Sequence, residues 1–177
     1  MEIREVRPDE YDEAGALTVE AYREFVPGDG SESWSGYLES LRDVAGRAQR
    51  TVVLVAVEDG RLVGTATVEI DDVLGDDDQE LPPGTAALRM LGVDPGARGR
   101  GVGRALVEAT IDRARRAGKR TLMLRTTNLM QAAQAMYRSM GFERDPSLDQ
   151  SYPEVDLIGY RMSLSGPAPN LRGAAGW

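Results

Sequence analysis

Apolar residues recur along this chain with two alternating periods, and the switches between them outline its elements. Ile3 to Val6 is a short strand stopped by Pro8. From Glu10 to Val26 the spacing becomes helical, with Ala14, Leu17, Ala21 and Phe25 in register. Pro27 to Ser31 is a loop, and Ser31-Glu-Ser33 offers a cap for a second helix over Trp34–Ala48, whose Tyr37, Leu38, Leu41 and Val44 share one side. Thr51 to Val57 is a strand, Glu58-Asp-Gly60 a hairpin turn, and Arg61 to Ile70 the returning strand. Asp71 to Glu80 is acidic and turn-like. Because the apolar run Ala86–Val93 follows at once, it reads as an insertion or loop rather than a domain boundary. Val102–Ala117 carries the broadest apolar arc, with Leu106, Val107, Ile111 and Ala114 opposite Arg104, Glu108, Asp112 and Arg115, and Gly118 ends it. Arg120–Thr126 is a strand, Met130–Met140 a helix closed by Gly141, Phe142–Arg144 extended, and Leu157–Leu164 the last strand.

The tally is seven strands and four helices in the order β-α-α-β-β-β-α-β-α-β-β. It predicts a single α/β domain, a mixed sheet with helices on both faces. A length of 177 residues suits one substantial core, and the 41% hydrophobic fraction is ordinary for a globular chain. Composition then narrows the chemistry. Cysteine and histidine are absent, which removes disulfides, thiol nucleophiles and imidazole or thiolate metal sites, so the expected metal content is none. Proton transfer near neutral pH is left to carboxylates, tyrosine, backbone groups or water. A formal charge of -8 argues against a nucleic-acid partner. No run approaches the roughly 20 apolar residues of a membrane span, and Met1-Glu-Ile-Arg-Glu5 lacks the layout of a signal peptide, so a cytoplasmic location is expected.

The most informative segment runs from Val93 to Gly103. A strand ends at Asp94-Pro95, a turn containing Arg98, Gly99, Arg100, Gly101 and Gly103 follows, and a helix begins at Val102. Strand, tight loop of exposed amides and helix N-terminus together form a place for an anionic phosphate. No G-x-G-x-x-G opens a βαβ unit, and no Gly-Lys-Ser/Thr follows, so the nicotinamide and nucleoside-triphosphate forms fit poorly. The competing reading is a plain surface turn with its arginines in solvent.

Arg98-Gly-Arg-Gly101-Val-Gly103 matches the form Gln/Arg-x-x-Gly-x-Gly/Ala, and Ala133-Gln-Ala-Met-Tyr137-Arg-Ser-Met-Gly141-Phe142 provides a second signature. With Leu88 to Pro95 before the first motif, the chain resembles the GNAT family of N-acetyltransferases over nearly its whole length. The resemblance implies an N-acetyltransferase domain over residues 1–164 with a tail at 165–177, and an acyl-CoA N-acyltransferase fold with a splayed central sheet. It implies acetyl-CoA as co-substrate, with the amides of Arg98, Gly99, Arg100, Gly101, Val102 and Gly103 on the pyrophosphate and Arg104 assisting. The strand carrying Leu91, Gly92 and Val93 would hold a bulge and pair with the pantetheine arm, an amide near Leu91 polarising the thioester carbonyl. Asn128 and Ala133 would complete the cofactor wall. Tyr137 falls where the family places the phenol that protonates the leaving thiolate.

Two positions depart from the family pattern. Met130 stands where an asparagine is frequent, and Ala87 where many members carry a glutamate base. Carboxylates of the acidic loop, Asp76 to Asp78 and Glu80, or Glu24 and Glu32 near the first two helices, are the alternatives; so is a route without a base. Tyr22, Phe25, Trp34 and Tyr37, with Glu80, are the candidate acceptor wall. Aromatics beside acidic residues suit a cationic amine with an apolar body, although the same rings also read as core. Transfer to a small-molecule amine, directly within a ternary complex, is the leading reading. A protein N-terminal or lysine acetyltransferase and a non-catalytic acyl-CoA binder are the alternatives. The Gly-, Pro- and Ala-rich tail ends in Trp177, an aromatic that calls for a covering surface, and a homodimer is the expected assembly. Light scattering in dilute solution is therefore expected to give twice the 19.2 kDa of one chain, and the mass of a single chain would exclude the dimer.

Overall fold

The computed structural model describes residues 1–25, 32–70, 81–152 and 155–165. Among the described residues eight strands lie in one sheet: β1 (Glu2–Glu5), β2 (Val52–Glu58), β3 (Arg61–Glu69), β4 (Thr85–Val93), β5 (Thr121–Thr127), β6 (Glu143–Arg144), β7 (Gln150–Tyr152) and β8 (Val155–Ser163). The helices are α1 (Tyr11–Tyr22), α2 (Glu32–Arg42), α3 (Val44–Ala48), α4 (Val102–Arg116) and α5 (Gln131–Ser139). The sheet runs β1-β2-β3-β4-β5-β8-β6, with β7 also on β8. Only β4 and β5 are parallel, and α4 makes the crossover between them.

The period-2 patterns work because both faces of the sheet are covered. In β2, Leu54 and Ala56 join the main core beside α4, whereas Val53 and Val55 pack with Ala14 of α1 and Val44 of α3. A strand buried on both sides reads as a continuous apolar run, as Val52–Val57 does. The β2–β3 turn uses Asp59 at φ 49° and Gly60 at φ 76°, the pair of left-handed residues that a tight hairpin requires. On the α4 face, Val102, Leu106, Val107, Ile111 and Ala114 are buried against the sheet, each large side chain contributing about 1.5–3 kcal/mol. Gly118, at φ 72°, ends α4 and lets Lys119 N–H reach the Ala114 carbonyl at 3.0 Å.

On the other face α1 approaches closely because small residues permit it. A Cβ on Gly15 would sit 2.3 Å from the Arg42 carbonyl oxygen, so α1 and α2 cross backbone to side-chain-free backbone. A Cβ on Gly92 would lie 3.1 Å from Ala21 Cβ, and beside it the buried hydroxyls of Thr18 and Thr65 share a hydrogen bond of 2.8 Å. These contacts seat α1 over the far end of β4.

Three expected boundaries move. The helix expected over Trp34–Ala48 is two, α2 and α3, broken at Asp43 (ψ 70°), whose carboxylate accepts the Gly46 N–H at 2.8 Å and so starts a new helix. The first helix ends at Tyr22 and continues as a 3-10 turn over Arg23–Phe25. There are eight strands where seven were expected, because Gln150–Tyr152 folds back on β8. The tail from 166 and the acidic segment 71–80 lie outside the described residues.

Two stability predictions follow from this packing. Gly15→Ala is expected to destabilise by about 1–3 kcal/mol through overpacking, whereas Gly36→Ala in α2, where a Cβ meets nothing within 4 Å, is expected to stabilise by about 0.5–1 kcal/mol; denaturant titration checks both. The hydrogen bond from Arg4, helped by the Arg7 N–H, lowers the Glu10 carboxyl from 4.5 to about 2. Because the folded-state value is depressed, this stabilisation is complete above pH 4.5 and is lost as pH falls towards about 2. Glu10→Gln is expected to flatten the acid limb of stability against pH in that window.

Candidate active site

The site begins with one extra residue in β4. Thr65 pairs with Gly92 and Thr67 with Arg89, so Met90 and Leu91 together face Ala66 alone. Met90 adopts φ 50°, unusual for a residue with a side chain, and is held there by burial against Val19 of α1 and Leu41 of α2. The bulge turns β4 away from its neighbour. Pairing with β5 runs from Thr85–Thr121 to Leu88–Leu124 and stops, although both strands continue, to Val93 and Thr127. The two strands therefore fork. Backbone groups on the inner edge of β4 beyond Leu88 face a slot rather than a partner strand, and Leu91 and Val93 pack towards α4 while Gly92 faces α1.

At the end of β4 comes the glycine turn. Asp94 accepts the Gly96 N–H at 2.8 Å, and the chain passes through Gly99 at φ 74° and Gly101 at φ 83° into α4. Around both glycines a Cβ would meet nothing within 4 Å, so backbone conformation requires glycine there and their faces are open. The first helical bond is Ala105 N–H to the Gly101 carbonyl, 3.0 Å, which leaves the amides of Val102, Gly103 and Arg104 without a partner inside the helix. A cradle of amides at the N-terminus of a fifteen-residue helix, beside a strand edge open to pairing, fits a pyrophosphate carrying an amide-bearing arm. Gly103 serves packing as well: a Cβ there would touch Val93 and Met136, both at 3.5 Å.

The side chains of Arg98, Arg100 and Arg104 are engaged within the fold. Arg98 is ion-paired with Glu24 and donates to the Ala21 carbonyl at 3.1 Å, tying the turn to the end of α1. Arg100 is ion-paired with Glu58 of the hairpin. Arg104 donates to Ser139 Oγ at 2.7 Å, linking α4 to α5. Carboxylates draw Arg98 and Arg100 sideways and a hydroxyl takes Arg104, while the amides of the turn stay open. Glu24, thus paired and exposed, is a surface partner for Arg98 rather than a group aimed into the fork.

Tyr137 lies on α5 in the main core, 4% exposed, its ring edge-on to Phe142 at 5.7 Å and near Tyr160 at 6.3 Å. Burial pushes its phenol well above the ordinary value, so it keeps its proton throughout the working range. The Tyr160 hydroxyl donates to Gln134 at 3.2 Å and accepts from Arg138 at 3.1 Å, and Gln134 donates to the Thr127 carbonyl at 3.0 Å, fixing α5 to the β5 arm. Met130 precedes α5, where its sulfur accepts the Thr126 hydroxyl at 3.6 Å. Ala133 is half-buried on the main core, and Asn128 is exposed with its N–H on the Asp156 carbonyl at 3.3 Å.

On the α1–α2 face the expected aromatics gather. Tyr22 and Tyr37 meet edge-on at 6.1 Å, and Trp34 and Tyr37 at 5.7 Å; Phe25 is half-buried in the Arg23–Phe25 turn. Burial raises the Tyr22 phenol, and the phenols of Tyr37 and Tyr137 add to the effect. Glu80 and Asp76 to Asp78 lie outside the described residues. Sequence reading finds no carboxylate around Ala87, yet the register sets Glu69 of β3 directly opposite it, 5% exposed and 3.2 Å from Arg89 Nη1. Pattern along β4 cannot reveal a neighbour that only strand pairing supplies.

A sequence profile described as the acetyltransferase (GNAT) family matches residues 16–142. The chain is similar to a mycothiol acetyltransferase of Cellulomonas flavigena, 30% identical over 144 residues, 70% of this chain and 40% of that protein. It is also similar to the N-alpha-acetyltransferase RimI of Mycobacterium tuberculosis, 46% identical over 63 residues, 36% of this chain and 38% of that one. The match thus spans well under half the length of either curated relative. Among solved structures, yncA from Salmonella typhimurium, an acetyltransferase described with its cofactor acetyl-CoA, superposes with a TM-score of 0.65 at 22% identity, covering 96% of each chain.

Gly101→Val, at φ 83°, is expected to weaken acetyl-CoA binding at least about tenfold by straining the turn and screening its amides. Arg100→Gln is expected to cost less, since that side chain is committed to Glu58. Calorimetric titration checks the order, and the reverse order would return the anion to the side chains.

Proposed function

Since the chain belongs to the acetyltransferase (GNAT) family, we propose that it transfers an acetyl group from acetyl-CoA to a primary amine of a small molecule, directly within a ternary complex. The observation that carries this reading is the fork: an unpaired β4 edge beyond Leu88, ending in the glycine turn and faced by the protonated phenol of Tyr137. Acetyl-CoA supplies an acyl group activated as a thioester. The amides from Arg98 to Arg104 hold its pyrophosphate, and the inner edge of β4 orients the arm that follows. A backbone N–H near Leu91, freed by the bulge, polarises the acyl carbonyl. Tyr137 gives its hydroxyl proton to sulfur as the carbon–sulfur bond breaks and the new carbon–nitrogen bond forms, and the proton shed by the amine restores the phenol through solvent.

The wall of Tyr22, Trp34 and Tyr37 supports an acceptor with an apolar body, and the longer of the two alignments is to an enzyme named for a small molecule, mycothiol. The shorter match to RimI favours the second reading, acetylation of a protein N-terminus. A binder without turnover is disfavoured by Tyr137, whose buried phenol has a place in chemistry and none in gripping CoA.

Free-thiol release from acetyl-CoA across a panel of amines and N-terminal peptides separates these readings. Small amines are expected to drive release and peptides to lag; release confined to peptides favours the second reading, and CoA binding without release the binder. Tyr137→Phe is expected to lose at least about tenfold in turnover, within the usual range for a general acid, while still binding acetyl-CoA; unchanged turnover would remove the proton-donor role.

A further inference from the structure

Thr127 ends β5 three residues beyond Leu124, the last residue of that strand paired with β4, and Leu91 stands the same three beyond Leu88 on the other arm. Counted outward from the vertex, the two share one level of the slot, that of the bulge. Alternation along β5 fixes the face. Leu122 and Leu124 join the main core under α4, and Met123 packs on Ala87, so Thr127 lies on the face of Met123. That is the face of α1: Ala87 pairs with Glu69, on the same side of β3 as Thr65, which bonds Thr18. On this face Tyr22 packs against the cluster of Met90, Val19 and Leu41. Thr127 is 8% exposed, and its hydroxyl has no hydrogen-bond partner among the described residues. The buried hydroxyls of Thr18, Thr65, Thr110 and Thr126 all have one. A buried hydroxyl without a partner is costly and points to a ligand group that completes it.

We propose that Thr127 is a further catalytic residue: its hydroxyl oxygen accepts a hydrogen bond from an N–H of the acceptor amine and holds the nitrogen lone pair towards the acyl carbon. The inference rests on the acetyltransferase reading above. Its position favours the amine over the acyl carbonyl. The carbonyl is met from β4, at the level of Leu91, whereas Thr127 stands on the other arm and on the face that carries Tyr22. A threonine oxygen has two lone pairs to offer an N–H. Orientation of the attacking atom lowers the barrier without any proton passing to the threonine. The carbon–nitrogen bond forms as the carbon–sulfur bond breaks, sulfur takes the Tyr137 proton, and the amine sheds its surplus proton to solvent.

Two S-alkylated forms of CoA test this without turnover: S-carbamoylmethyl-CoA, which carries an amide NH2 on its carbonyl, and S-acetonyl-CoA, which carries a methyl group there. Calorimetric titration is expected to favour the carbamoyl form by about five- to tenfold, the scale of one hydrogen bond. Thr127→Val is expected to bring that ratio towards unity without weakening the acetonyl form, and Thr127→Ser to restore it. A ratio of unity in the unsubstituted protein, or equal loss of both analogues in Thr127→Val, overturns the proposal. Thermal denaturation of the free protein gives a second readout. Losing a partnerless buried hydroxyl is expected to leave the midpoint of Thr127→Val unchanged or raise it by about 2–4 °C. A fall that Thr127→Ser does not share assigns the hydroxyl to the fold and overturns the proposal. In the thiol-release assay Thr127→Val is expected to lower kcat by about tenfold. Amine turnover unaffected by it overturns the proposal and leaves the small-amine reading intact. If no amine is turned over, that reading fails, and the analogue ratio decides the role of Thr127 by itself.

Discussion

The bulge at Met90 and Leu91 is the constraint on which the rest of this molecule's geometry depends. A parallel pair of β-strands ordinarily continues as long as both strands do, because every unpaired backbone group costs hydrogen bonding. Here β4 gains one residue against β3, bends, and leaves β5 after Leu88. The strained backbone of Met90 is maintained because its side chain is buried with Val19 and Leu41, so the helices of one face hold the strand in its bent course. The result is a slot with the inner edge of β4 unpaired with β5 beyond Leu88 on one side.

The remaining parts of the site are arranged around that slot. The glycine turn follows the bent arm of β4 and delivers the N-terminus of α4 to its end. Arg98 and Arg100 brace the turn against α1 and the β2–β3 hairpin. On the other arm, the chain of hydrogen bonds from Arg138 through Tyr160 and Gln134 to the Thr127 carbonyl fixes α5, and with it Tyr137. The two arms are thus separately anchored.

The charges on the α1–α2 face follow the same logic. A carboxylate lies beside Ala87, but it comes from Glu69 on the adjacent strand and is tied to Arg89. Two charged groups from neighbouring strands are thus brought together by the register of β3 and β4 alone.

Local signals were enough for most of the elements and for the glycine turn at the end of β4. Amphipathic spacing gave α4 its apolar face, Asp-Gly its hairpin, Gly118 and Gly141 their helix ends, and the motif from Arg98 to Gly103 its turn, because each depends on the conformational preferences of a few neighbouring residues. The break at Asp43 lay equally within local reach, through its cap on Gly46, but was hidden by the unbroken apolar side from Tyr37 to Val44. What only the tertiary structure decided is everything that depends on register between distant segments. The point at which β4 and β5 part, the placement of Glu69 opposite Ala87, and the pairing of Arg98 with Glu24 all join residues far apart in the chain. Side chains alternate across a strand with period 2, so which groups meet is fixed by pairing and not by spacing along one strand.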